Sequence, residues 1–183
     1  MNIGEIIGEA DILVPNEVAT ADKLIWINAI NQDFFNVVKI PKFVRFSCVI
    51  GQQDYVMPND VRVKNIDLLM IGLFRYQSLE SETITPTQNA YKFDDSTHKL
   101  SVYPPPYSSD LQGVLRYMRI ATTTFTTANL INVPDAPEEY HWTYIPALAA
   151  YLANTQDDGV KAANYENQYK SAWNVAAQNY QGG

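Results

Sequence analysis

The sequence predicts an α+β fold: a helical bundle, built from N-terminal helices plus a C-terminal helical hairpin, with an inserted antiparallel β domain. Three observations lead there. Apolar residues recur at helical spacing up to about Val38, then switch to strand-like alternation from Pro41. The helical period returns after Val133, in an alanine- and tyrosine-rich stretch. Neither helical half has enough apolar partners alone, so the two are expected to pack together. The expected division is a helical domain of residues 1–40 and 133–183 and a β-rich domain of residues 41–132.

Residues 2–14 read as a short helix with Ile3, Ile6, Ile7 and Ala10 on one face, closed by Pro15. Thr20 is placed to cap the next helix, ADKLIWINAINQDFFNVV. Its stripe is Leu24, Ile27, Ile30 or Asn31, Phe34, Phe35 and Val38. Ile25 and Trp26 widen the apolar surface, so cover on more than one side is expected.

In FVRFSCVI, Phe43, Arg45 and Ser47 alternate with Val44, Phe46 and Cys48, the period of a strand. Gly51 suits a turn, and Tyr55 to Met57 form a short strand stopped by Pro58. VRVKNIDLLMIG reads as one strand bent near Asn65. The polar stretch after Tyr76, QSLESETITPTQNA, has no period and reads as a loop. Tyr91 to Phe93, a DDST turn and Lys99 to Tyr103 make the clearest hairpin. Pro104 to Pro106 end it. GVLRYMRIA is a further strand, and ATTTFTTANLIN a threonine-rich connector with β propensity.

The closing hairpin begins where Asp135 can cap a helix and Pro137 can sit in its first turn. Glu138 and Glu139 then face the positive end of the helix dipole. Tyr144, Leu148, Tyr151 and Leu152 recur at helical spacing. Pro146 inside this run implies a kink or an offset first turn. QDDG breaks the pattern, with Gly159 supplying a positive φ. The last helix gathers Ala162, Tyr165, Tyr169, Ala172, Trp173 and Ala176 on one face. Trp26, Phe34, Tyr151, Tyr169 and Trp173 are the expected core anchors. Beyond Trp173 the chain keeps only Val175 and Tyr180 as large apolar residues, so its end should be poorly held.

A chain of 183 residues suits one domain, or one core with an insertion. It can bury roughly 70% of its unfolded surface, so it needs neither disulfide nor metal to fold. Cys48 is the single cysteine and reads as a buried small hydrophobe. With only His98 and His141 besides, a four-ligand zinc site is excluded. Net charge of -7 argues against a dedicated nucleic-acid binder. No signal peptide or bilayer-spanning apolar run is evident. Charged residues are only 18%, and a surface rich in uncharged polar groups suits a protein covered by neighbours.

Enzymatic motifs are absent: no G-x-G-x-x-G, P-loop, G-x-S-x-G or H-E-x-x-H. His141 beside Glu138 and Glu139 could suggest a metal or acid–base site, but acids are ordinary at a helix start. Asp94–Asp95 and Asp157–Asp158 fall in turns, where aspartate bonds locally. Ser47 and Cys48 have no histidine nearby in sequence. No enzyme activity and no cofactor are expected.

Several short elements occur in a characteristic succession. Gly51-Gln52-Gln53-Asp54-Tyr55-Val56-Met57-Pro58-Asn59-Asp60 has the form g-x-x-x-Y-x-l-P-x-D. Lys99 to Pro104 follow as an l-x-l-x-P strand end, then Arg116-Tyr117-Met118-Arg119. Asn132-Val133-Pro134-Asp135, with Tyr140 and Tyr144, leads into the alanine-rich helix. Tyr165-Glu166-Asn167-Gln168-Tyr169 comes near the end, and the aromatic run Trp26 to Phe35 stands near the start. This succession resembles the head–tail adaptor, or connector, proteins of tailed double-stranded DNA bacteriophages.

The resemblance implies a structural protein of the virion neck, assembled in the host cytoplasm. Its copies would form a ring, commonly a dodecamer, below the portal, extending the DNA channel and presenting a tail platform. The implied partners are the portal protein, a tail or head-closure protein and further copies of the chain, with no membrane. DNA would pass through the lumen without specific binding, which an acidic wall favours by repelling phosphates. Val175, Asn179, Tyr180 and Gln181 are the expected portal contacts. Tyr76, Ile84, Tyr103 and Tyr107, on loops at strand ends, are expected to meet neighbouring subunits or the tail. Two other readings stand beside this one: another neck or tail protein such as a tail-completion protein, and a β-rich carbohydrate- or ligand-binding module with Tyr103 and Tyr107 as an aromatic platform.

Overall fold

The computed structural model describes residues 1–79 and 88–181. The fold is α+β, with four α-helices and a seven-stranded sheet among the described residues. The chain divides into two compact units: Met1–Lys39 with the chain from Ile120 onward, and Ile40–Arg119.

In the helical unit, α1 spans Ile3–Leu13. The Asn2 side chain accepts from the Glu5 backbone N–H while Glu5 accepts from the Asn2 N–H, both at 2.9 Å, a capping box. Ile3, Ile6, Ile7 and Ala10 are buried, as their spacing requires. Helix α2 spans Thr20–Val37. Thr20 is its first helical residue rather than its cap; Ala19 holds that position without a side-chain bond. The stripe Leu24, Ile27, Ile30, Phe34 and Phe35 is buried together with Lys23 and Asn31. Lys23 is tolerated there because it pairs with Asp11 at 2.8 Å. Ile25, by contrast, stays 65% exposed, so the wider cover expected for α2 does not extend to it.

The threonine-rich segment forms no strand. Side chains take its backbone groups before a ladder could. Asn28 brackets Phe125, donating to its carbonyl at 3.0 Å and accepting from its N–H at 2.8 Å. Asp135 does not cap a helix either. It accepts from the N–H groups of Thr122 and Thr123, each at 2.8 Å. A 3-10 helix over Glu138–Thr143 then leads into α3, Tyr144–Thr155. Pro146 thus lies in the first turn of α3, where its missing N–H deprives the helix of no bond. Of the two expectations, the offset first turn is the one this 3-10 segment provides.

The α3–α4 turn takes its positive φ at Asp157, 57°, not at Gly159. Aspartate tolerates that region because its side chain can bond locally. Gly159 instead opens α4, which runs Gly159–Gln181, and Asp158 accepts from the Lys161 N–H at 3.0 Å. The alanine-rich face of α3, including Ala147, Ala150 and Ala153, is buried and packs against α4. Helix α4 is helical through Gln181 and Ala176 is fully buried, so the expected fraying after Trp173 is corrected.

In the sheet unit the strands are β1 (Pro41–Ser47), β2 (Asp54–Val56), β3 (Ile66–Ile71), β4 (Phe74–Ser78), β5 (Ala90–Asp94), β6 (Lys99–Tyr103) and β7 (Gln112–Met118). Their order is β1-β7-β3-β4-β5-β6-β2. Every pairing is antiparallel except the short parallel one between β4 and β5. The single bent strand expected over 61–72 is instead a 3-10 turn, Val63–Asn65, followed by β3. Asn65 imposes the break: its amide donates to the carbonyls of Asp60 (2.9 Å) and Met118 (2.8 Å). Strand β4 begins in Phe74 and extends through Gln77 and Ser78, which polarity alone had placed in a loop.

One face of the sheet encloses a core of Leu69, Ile71, Tyr76, Leu100, Val102, Leu115 and Tyr117, with Cys48 buried among them. Gly113 belongs here for a steric reason. A Cβ at this position would lie 2.2 Å from the Phe46 ring, its cross-strand partner.

Candidate assembly surfaces

The residues whose type could suggest catalysis are each engaged locally. His141 is buried, and its Nε2–H donates to the Ala136 carbonyl at 2.8 Å. That places the proton on Nε2 and leaves Nδ1 unpartnered inside the fold. Asp94 is exposed and accepts from the Ser96 and Thr97 hydroxyls, which hold its pKa at about 2. It ends β5 and holds the turn that follows. Among the described residues no group of three or more His, Cys, Asp or Glu could hold a metal ion.

What the helical unit does contain is a buried polar knot. Asp135 receives Asn31 Nδ2 at 2.8 Å and Thr123 Oγ1 at 2.7 Å besides its two backbone donors. Asn31 Oδ1 in turn accepts from the Tyr144 hydroxyl at 2.7 Å. Burial alone would raise the Asp135 pKa, but hydrogen bonds from Thr123, Asn31 and Thr122 hold it below the ordinary carboxylate value. Burial pushes the Tyr144 phenol far up, so it stays a neutral donor. The knot ties α2, the threonine-rich segment and α3 together, and its role is structural.

The aromatic residues gather on one side of the same unit. Trp26 stacks on Tyr151 with ring centroids 5.6 Å apart. Trp173 is buried, meets Phe34 edge-on at 5.5 Å and Tyr169 at 4.8 Å, and donates its indole N–H to Thr143 Oγ1 at 2.9 Å. Phe34 is fully buried, whereas Trp26, Tyr151 and Tyr169 are only half-buried. The outer edges of Tyr151 and Tyr169 line a groove between α2, α3 and α4 made of two hollows of about 280 and 290 Å3. The hollows share Asp33, Tyr169 and Lys170. Lys170 pairs with Glu166 at 2.7 Å, the i,i+4 partner on its own helix.

The other sequence-derived contact residues scatter. Val175 is 57% exposed on α4, Asn179 is exposed, Tyr180 is half-buried, and Gln181 ends the helix. Tyr107 is 68% exposed and Tyr103 half-buried at the end of β6. Tyr76 lies in the sheet core, its hydroxyl donating to the Pro104 carbonyl at 3.2 Å, so its side chain has little surface to offer a partner. Ile84 falls outside the described residues.

A surface that residue-by-residue reading missed is the outward face of the sheet. Register places Arg45, Val114, Met70 and Arg75 in one row across β1, β7, β3 and β4. Phe43, Arg116 and Leu68 form the next row. Opposed residues share a face, and this one points away from the core. Phe43 is 58% exposed; Arg45 and Arg75 are exposed; Arg116 pairs with Asp67. The alternation around Phe43 was visible in the sequence, but the identity of the neighbouring strands was not.

Charge separates between the units. The helical unit holds twelve Asp and Glu against four Lys and Arg, a net of −8. The sheet unit holds eight against nine, a net of +1.

No curated protein matches this sequence. The family model described as SU10 adaptor protein matches residues 1–182, and the chain therefore belongs to this family of phage head–tail adaptors.

Proposed function

We propose that this protein is a head–tail adaptor that forms a ring, a dodecamer by analogy with connectors, below the portal. The ring extends the DNA channel and provides the platform on which the tail is built. The observation that carries this reading is the family match over residues 1–182. Its partners are then the portal protein, a tail or head-closure protein and further copies of itself, in the virion neck. An acidic helical unit fits a channel wall that lets DNA slide, because like charge repels phosphate. The portal contacts are assigned to the last turns of α4, at Val175, Asn179, Tyr180 and Gln181. Tyr103, Tyr107 and Ile84 are assigned to the tail or a neighbouring subunit.

Electron microscopy of particles labelled on this protein tests the reading. The label should sit at the neck, and a phage lacking the protein should accumulate DNA-filled heads without tails. A label at the tail tip, or normal tailed particles without the protein, would sink it.

A further inference from the structure

The groove between α2, α3 and α4 has the chemistry of a guanidinium receptor. Tyr151 and Tyr169 wall it with ring surface, and Asp33 and Glu166 supply carboxylates. Lys170 already answers Glu166. Asp33 is exposed and accepts from Asn36 Nδ2 at 3.3 Å; among the described residues no cation pairs with it. An arginine entering here would meet a carboxylate for its N–H fork and an aromatic face for its plane.

The outward face of the sheet offers that group. Arg45 and Arg75 close the two ends of the Arg45–Val114–Met70–Arg75 row, and among the described residues neither makes an ion pair. Val114 and Met70 between them, with Phe43 and Leu68 in the adjoining row, give an apolar centre with a basic rim. The groove has aromatic walls and an acidic rim. Three strand spacings of about 4.8 Å set the two arginines about 14 Å apart, so one can enter the groove while the other stays at its edge.

We propose that the outward sheet face of one copy docks on the α2–α3–α4 groove of a second copy, with Arg45 or Arg75 seated against Asp33 and the Tyr169 ring. The second copy is the occupant because both halves are on this chain and their charges are opposite, on units of net +1 and −8. Two different surfaces meet, so the contact is heterologous: in a docked pair one copy still has its groove free and the other its sheet face. Such a contact can repeat, and it closes into a ring where the rotation between copies allows. The inference rests on the ring reading above and names the surfaces that would build it.

The test uses sedimentation of the full chain, up to millimolar concentration, at low and high salt. The wild type should self-associate weakly, and less as salt rises. Asp33→Ser removes the carboxylate of the groove, and Arg45→Ser with Arg75→Ser removes both guanidiniums of the sheet face. All three positions are exposed, so both variants should keep the wild-type melting curve. Each alone should associate about tenfold or more weakly than wild type. An equimolar mixture should recover dimers and nothing longer, because only one intact groove and one intact sheet face meet. The proposal is overturned by a wild type that stays monomeric at millimolar concentration, by variants that sediment like wild type, or by a mixture that recovers no dimer. Neck labelling separates the two readings. A protein at the neck whose variants associate normally keeps the adaptor and loses this contact. Salt-sensitive association with no protein at the neck does the reverse.

Discussion

The helical unit and the sheet unit are held together in different ways. The sheet unit is one uninterrupted segment whose ends meet, Arg119 N–H donating to the Ile40 carbonyl at 2.9 Å. Its core is almost entirely apolar and aromatic, with Asn65 the one buried amide among the described residues. The helical unit is made from both ends of the chain, and its ties are long-range and polar. Asn31 reaches Asp135 across 104 residues, and Tyr144 reaches Asn31 across 113. Lys23, Asn31, His141 and Thr143 are buried there. Apolar burial is non-directional, while a polar knot fixes one arrangement because every partner left unpaired costs free energy. An insertion can be closed off by its own sheet. The unit that receives it needs specific bonds to bring distant ends into register.

The largest effect should come from separating the two. A fragment of residues 40–119 should melt cooperatively by circular dichroism, because its core cluster is drawn from its own strands and turns. A fragment of residues 120–183 should show no cooperative transition, having lost α1, α2 and Asn31. A cooperative 120–183 fragment would break the contrast. Next in size is Trp173→Ala, which empties a site touched by Phe34, Tyr169 and Thr143. It should cost about 3–5 kcal/mol in chemical denaturation.

Asp135→Asn sharpens the polar side of the comparison. An amide facing two backbone N–H donors loses part of the knot, at a cost of about 1–3 kcal/mol near neutral pH. The folded pKa of Asp135 is lowered, so its contribution is complete above the unfolded-chain value and is lost as pH falls through the folded one. Urea titrations should therefore show wild type and variant converging in acid. A gap that persists below that pH would mean the carboxylate charge is not what matters. On the apolar side, Gly113→Ala forces the Phe46 ring off its seat and should cost about 1–3 kcal/mol, with no such pH dependence.

The smallest effect on stability should be deletion of Asn179 to Gly183. These positions lie beyond Ala176, the last fully buried residue among those described in α4, and the melting curve should move by less than about 0.5 kcal/mol. Incorporation into DNA-filled heads should fall nonetheless. Wild-type incorporation would place the portal contact elsewhere on the molecule.

The stripes of α1, α2, α3 and α4 were legible in the sequence because a helix declares its buried face through neighbours three and four residues away. The β5–β6 hairpin was legible for the same local reason. The acidic balance and the missing catalytic motifs needed no coordinates either. Other features depended on partners far along the chain. Asp135 looks like a helix cap until Asn31, Thr122 and Thr123 are brought to it. The threonine-rich segment looks like a strand until Asn28 takes the Phe125 backbone. Strand β4 is too short and polar to announce itself before β3 lies beside it. The row Arg45–Val114–Met70–Arg75 unites four strands from widely separated stretches, and the groove at Asp33 unites three helices. Local periodicity is set by backbone geometry within one element, so the sequence alone determined which residues each helix buries. Pairing order and side-chain capture are set by which distant groups arrive first and fit best, and only the tertiary structure decided those.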